Sequence, residues 1–257
     1  MLVVGRQDVG MRETLVLLHG FTQTGRSWDP VLAVLGEARY RPVAPDLRGH
    51  GDAGSVRPIG FDEIAGDVLA AAGDGPFTLV GYSQGGRIAL HLALAAAERV
   101  QRLVLVSTTA GLEDAAAREA RIASDEQLAL RMEGQGIDAA ARAWAAQALF
   151  GGQTPEVAAL AHEDRRRNDP RDLADVLRGV GTGRMTPLWD RLPELTMPSA
   201  VIVGERDRKF VELGRRLADG LPDATFTLVP DAGHALPWEK PAAIADVISG
   251  ARDSSGA

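Results

Sequence analysis

The chain has 257 residues, 45% apolar and 25% charged, which supports one sizeable α/β domain with its own core. Its net charge of −7 argues against nucleic acid as a partner, which would need a clustered positive surface, but leaves room for a small anion in a locally basic pocket. It contains no cysteine, which excludes disulfides, thiol catalysis and cysteine-ligated metals. No apolar run approaches the roughly 18 residues of a spanning helix, so no membrane insertion is expected. Met1 to Gly10 lacks the charged-then-apolar pattern of a signal peptide, so the expected location is the cytoplasm. Oligomeric state is left open.

Short aliphatic runs predict strands at 14–18, 41–44, 78–80, 102–106, 199–203 and 225–229. Several are continuously apolar, as suits parallel strands covered on both faces. Helices are expected between them, notably at 85–97 and 211–221. Alternating strands and helices imply βαβ units and right-handed crossovers. The alternation breaks once. Residues 109–192 are rich in Ala, Glu and Arg and give no strand pattern. A helical block inserted into one sheet reads as a lid over a site, with a plain decoration as the alternative. The expected division is a core of 1–108 with 193–252, an insertion of 109–192 and a small, polar, disordered tail at 253–257.

The sharpest local signal is Gly81-Tyr82-Ser83-Gln84-Gly85. It fits G-x-S-x-G, follows a predicted strand and precedes a predicted helix, the context of a nucleophile elbow. In such a turn the serine backbone is strained, and glycines two positions away avoid a clash. The hydroxyl then sits at a helix start, where negative charge is favoured. A serine is inert at its free pKa and needs an imidazole beside it. Of five histidines, His91 falls inside the helix after the elbow, and His162 lies beside Glu163 and Asp164 in the insertion. His19 and His50 end or follow the first two strands and suit structural roles, with His19 shaping the loop ahead of it. His234, in Asp231-Ala232-Gly233-His234, follows the last strand, where α/β sheets gather their sites. The acid should follow the fifth strand in Gly204-Glu205-Arg206-Asp207. Asp207 is favoured over Glu205, and Asp231 is too close in sequence to His234. Its task would be to fix the imidazole tautomer and stabilise the imidazolium. The oxyanion hole should use the N–H of Gln84 and that of Phe21 in His19-Gly20-Phe21-Thr22.

Taken together, Leu17-Leu18-His19-Gly20-Phe21, Asp46-Leu47-Arg48-Gly49-His50-Gly51, the Ser83 elbow and Asp231-Ala232-Gly233-His234 resemble the α/β-hydrolase superfamily across almost the whole chain. The resemblance implies a mostly parallel central sheet with helices on both faces and a helical lid. Several segments are more specifically similar to the 2-succinyl-6-hydroxy-2,4-cyclohexadiene-1-carboxylate synthases of menaquinone biosynthesis. These are Gly81–Leu90, Gly111-Leu112-Glu113, 118–125, 144–150, Leu177-Arg178-Gly179-Val180-Gly181-Thr182-Gly183 and 203–210. Likeness within the lid is informative because lids diverge fastest in this fold.

That likeness implies a lyase with a tricarboxylate substrate, a cyclohexene carrying succinyl and enolpyruvyl groups. His234 would activate Ser83, Ser83 would take a ring proton, and pyruvate would leave. No acyl-enzyme, metal or organic cofactor is implied. It points to Arg87, Arg121 and one of Arg165, Arg166 and Arg167 as carboxylate ligands, with Arg166 favoured, and to Tyr82, Gln84 and Trp144 lining the pocket. Three carboxylates do call for fixed guanidinium groups, and Arg87 stands one helical turn after Ser83. The chain prefers Arg to Lys throughout, however, so a lone lid arginine is by itself an ordinary solvated charge. The competing readings are a serine carboxylesterase, lactonase or carbon–carbon bond hydrolase on the same fold, and a non-enzymatic ligand receptor.

Overall fold

A computed structural model describes residues 12–36 and 38–250. The expected tail at 253–257 lies outside them. Among the described residues six strands form the sheet: β1 (Glu13–Leu18), β2 (Tyr40–Val43), β3 (Phe77–Tyr82), β4 (Val100–Val106), β5 (Ser199–Gly204) and β6 (Ala224–Val229). They lie in the order β2-β1-β3-β4-β5-β6, and every pairing is parallel.

Each strand sits where the aliphatic runs predict it, with shifted ends. β3 runs on through Gly81 and Tyr82, because Gly81 still pairs with Leu105 and Tyr82 with Val106. Every residue of β3 and of β5 is buried. The pleat sorts the side chains into two cores. Val16, Leu18, Leu79, Leu103, Leu105, Val201 and Val203 face one side. Leu15, Leu17, Val80, Val104, Val106, Ala200 and Ile202 face the other.

Helices α1 (Asp29–Leu35), α2 (Phe61–Ala72) and α3 (Gln84–Ala95) occupy the first crossovers. Between β4 and β5 the chain forms α4 (Ala115–Glu133), α5 (Ile137–Ala145), α6 (Pro155–Arg165) and α7 (Pro170–Val180), with one 3-10 turn (Ala148–Phe150) between α5 and α6 and two more (Thr182–Arg184 and Trp189–Glu194) after α7. Last come α8 (Arg208–Gly220), α9 (Leu236–Glu239) and α10 (Pro241–Ser249). Val68 of α2, Ile88 of α3 and Leu217 of α8 fill the first core. Val31 of α1 and Ile244 of α10 fill the second. Two helices start earlier than their apolar pattern suggests. α3 begins at Gln84 because the elbow turns directly into it. α8 begins at Arg208 because Asp207 acts as its N-cap residue, its carbonyl accepting from the Val211 N–H at 2.9 Å.

Because all strands run the same way, the segments after β1, β3, β5 and β6 emerge at one edge. The chain order also reverses between β1 and β3, the switch point where such sheets open a crevice. Among the described residues no helix is long and apolar enough to cross a membrane.

Candidate active site

Ser83 sits at the turn between β3 and α3 with φ 52° and ψ −108°, a left-handed conformation that costs a non-glycine residue free energy. A Cβ on Gly81 would lie 2.5 Å from the Gly85 carbonyl oxygen, and one on Gly85 would collide with the backbone of Leu18. The elbow therefore closes only with glycine on both sides. From the loop after β6, His234 brings Nε2 to 3.1 Å from Ser83 Oγ. Its Nδ1 lies 2.6 Å from Asp207 Oδ2 in the loop after β5. The imidazole and the carboxylate are both buried. Glu205, the other acid considered, turns away and accepts the Asp231 N–H at 3.2 Å. The His234 loop is held by Glu239, which accepts from the N–H groups of Gly233 and Ala235.

The other histidines serve elsewhere. Leu47 N–H donates to His19 Nε2 at 3.0 Å, so the ring proton resides on Nδ1 and points to the Gly20 carbonyl at 2.9 Å. Burial pulls the pKa of His19 down to about 4, which keeps this neutral tautomer in place. His50 packs edge-on against it at 4.8 Å, and burial likewise lowers its pKa. This pair lies beneath the loop that carries Phe21. His91 stacks on Phe61, and His162 lies beside Asp138. Among the described residues neither the Phe21 nor the Gln84 N–H has a protein acceptor, so both are free to meet an oxyanion.

A cavity of about 460 Å³ opens beside Ser83. Phe21, Gln84, Trp144 and Phe210 line it, and its charged wall is Arg87, Arg121, Arg206, Arg208 and Lys209 against Asp207 alone. On a chain of net charge −7, this is a locally basic chamber. Arg87 is buried, and its Nη1 donates to the Val180 carbonyl at 2.7 Å. Desolvation, with Arg121 nearby, pulls its pKa down to about 9 against the opposing pull of Asp125. Arg121 is held by Asp125 at 2.8 Å. Trp144 meets Phe21 edge-on at 4.8 Å. Phe210 packs 4.6 Å from the His234 ring, and Tyr82 packs 5.4 Å from it. Burial raises the Tyr82 phenol pKa, which keeps it a neutral donor.

The expectation for the arginine run requires a correction of one residue. Arg166 points outward, 48% exposed and paired with Asp138 at 2.8 Å. Arg165 points inward and is 1% exposed. It shares a small void with Ser83, His234, Tyr82 and Trp144. Among the described residues its Nε and Nη1 have no hydrogen-bond partner, and its guanidinium lies over the Phe150 ring. Desolvation lowers its pKa, opposed by Tyr82 and Asp164. The reason is helical phase. Ala161, Asp164 and Arg165 of α6 are buried at i, i+3 and i+4, and Asn168 in the turn after the helix is buried on the same side. The more apolar Leu160, which would suggest a different face, is 52% exposed.

Comparison with known proteins matches residues 15–247 to the alpha/beta hydrolase family. The chain belongs to the α/β hydrolase family. Among curated members, this α/β hydrolase is 32% identical over 254 residues to a putative 2-succinyl-6-hydroxy-2,4-cyclohexadiene-1-carboxylate synthase of Bacillus subtilis, covering 92% of this chain and 89% of that protein. It is 34% identical to the synthase of that name from Enterobacter sp., covering 91% and 90%. Among solved structures it superposes on MenH from S. aureus with a TM-score of 0.88 at 30% identity, covering 94% of this chain and 93% of the other. This α/β hydrolase therefore groups with proteins named 2-succinyl-6-hydroxy-2,4-cyclohexadiene-1-carboxylate synthase.

Proposed function

We propose that this protein is a carbon–oxygen lyase that eliminates pyruvate from 2-succinyl-5-enolpyruvyl-6-hydroxy-3-cyclohexene-1-carboxylate to give 2-succinyl-6-hydroxy-2,4-cyclohexadiene-1-carboxylate. The observation that carries this reading is the combination of a Ser–His–Asp relay with a chamber whose ionisable wall is almost entirely cationic. A simple ester needs the relay but not the cations. A tricarboxylate needs both.

In this reading His234 takes the Ser83 proton and Ser83 Oγ removes the ring proton at C2, next to the succinyl ketone. The C–H electron pair becomes the C2–C3 double bond. The C3–C4 π pair moves to C4–C5, and the C5–oxygen bond breaks. The leaving enolpyruvate takes up a proton and becomes pyruvate, so atoms and charge balance. Negative charge grows on the ketone oxygen during proton removal, and the N–H groups of Phe21 and Gln84 are the donors suited to it. Asp207 holds the imidazole and stabilises the imidazolium. Arg87, Arg121 and Arg165 are the carboxylate ligands, with Tyr82 and Trp144 shaping the pocket. The helical insertion between β4 and β5 is the lid that supplies Arg121, Trp144 and Arg165.

The test is pyruvate release from the cyclohexene substrate, followed by a coupled pyruvate assay and by diene absorbance. Equimolar pyruvate and diene are expected. Ser83→Ala and His234→Ala should each lower kcat by about 10³-fold, the usual scale of general acid–base assistance. Release at the uncatalysed rate by the wild type, with rapid hydrolysis of simple esters, would replace this reading with a serine esterase or lactonase.

A further inference from the structure

The loop that carries Phe21 is bent in a way it does not hold by itself. Thr22 has φ 69°, a left-handed conformation that persists only where neighbours enforce it. The loop's own turn, from the Gln23 N–H to the Gly20 carbonyl at 3.1 Å, is one restraint. His19 Nδ1 holds the Gly20 carbonyl and Asp46 accepts from the Gly25 N–H at 2.7 Å, and further restraints come from the end of α6 and the turn after it. Thr24 donates twice to Asp164, through its N–H at 3.0 Å and its hydroxyl at 2.5 Å. Asn168 Nδ2 donates to the Thr22 carbonyl at 2.9 Å, and Asn168 Oδ1 accepts from the Gly51 N–H at 3.0 Å. Thr22, Thr24, Asp164 and Asn168 are all buried.

This network is a costly way merely to hold two segments together. The nearest cation to Asp164 is Arg167, at 3.9 Å, so desolvation of the carboxylate is offset mainly by the two Thr24 hydrogen bonds. Well-packed apolar side chains would stabilise such a junction at least as well. What directional hydrogen bonds add is register. The residue between Asp164 and Arg166 is Arg165, whose unpartnered guanidinium shares the void with Ser83 and His234. The same turn of helix therefore holds the oxyanion loop and presents the arginine.

We propose that Asp164 and Asn168 are positioning residues that lock the oxyanion loop to the lid, so that the Phe21 N–H and the Arg165 guanidinium meet the substrate at one fixed spacing. The proposal rests on the lyase reading for the roles of those two groups. Its structural half, the clamp itself, is testable without it. A displacement of about 1 Å at a reacting centre can cost about 10²-fold in rate.

The experiment compares Asp164→Ala, Asp164→Asn and Thr24→Val with the wild type. It measures kcat and KM for pyruvate release well below each Tm, together with amide hydrogen exchange at Phe21–Thr24. Asn keeps an oxygen for the Thr24 N–H and can donate to its hydroxyl oxygen, so Asp164→Asn should stay within about threefold of wild type, by the tolerance expected of a satisfied pair. Asp164→Ala should lose about 10- to 100-fold, mainly in kcat, with faster exchange confined to the loop. Thr24→Val, which is nearly isosteric, should move the same way by less. A purely structural role would lower Tm and leave kcat of the folded enzyme and the exchange of the loop unchanged, and that result overturns the proposal. If the wild type releases no pyruvate but Asp164→Ala still frees the loop, the clamp stands and the lyase reading falls.

Discussion

Replacing Arg165 by methionine should stabilise the free protein and disable it at once. Arg165 is 1% exposed, and among the described residues two of its guanidinium nitrogens lack partners. A buried, imperfectly paired ion carries an effective penalty of several kcal/mol. Phe150, 5.1 Å from the cation, returns about 1–2 kcal/mol, and Asp164 returns part of the rest. Methionine fills similar space without the charge, so a net gain of about 1–2 kcal/mol is expected. For a chain of this size that raises Tm by about 2–8 °C. Against this, a carboxylate bound by two charge-assisted hydrogen bonds gains about 1.5–3 kcal/mol from each. Losing them should lower kcat/KM by about 10²-fold or more. The assays are calorimetric unfolding and coupled pyruvate release. Arg166→Ala is the matched control. Its exposed pair with Asp138 contributes about 0–1 kcal/mol, and its kcat/KM should stay near wild type. A less stable Arg165→Met with unchanged kcat/KM would show that Arg165 is structural and refute the assignment.

Arg87→Ala should raise KM by about 10- to 100-fold, the scale of one lost charge-assisted pair. It should also loosen the end of α7, because the Val180 carbonyl loses its donor, and steady-state kinetics with exchange at Val180–Thr182 would report both. Acid should destabilise the fold through His19. Its folded pKa of about 4 lies below the 6.5 of an unfolded imidazole, so the unfolded state binds more protons between these values. The stability is complete above pH 6.5 and is lost as pH falls toward 4, by on the order of 3 kcal/mol from this group. Unfolding midpoints measured across that range check it. A flat profile would mean that the ring is not held neutral.

Much of this protein is determined by short stretches of sequence. Strand positions follow from aliphatic runs, because a parallel strand covered on both faces has no polar alternation to confuse. The Ser83 elbow is legible because only glycine fits at 81 and 85. Asp207 and His234 follow from strand ends that a parallel sheet must bring to one edge. Tertiary structure decided the rest. The turn after β5 made Asp207 the favoured carboxylate over Glu205, but the 2.6 Å separation of its Oδ2 from His234 Nδ1 exists only in the folded chain. The resemblance points to one of Arg165, Arg166 and Arg167 and favours Arg166; the sequence of α6 cannot fix which of them turns inward, because the helix is polar on nearly every side and its Leu160 faces out. The inward phase goes with buried Asp164 at the end of the helix and Asn168 just after it, whose partners Thr24 and Thr22 lie about 140 residues away in the chain. Local patterns record which residues avoid water. They do not record which distant donor a buried carboxylate will find, and only the folded chain settles that.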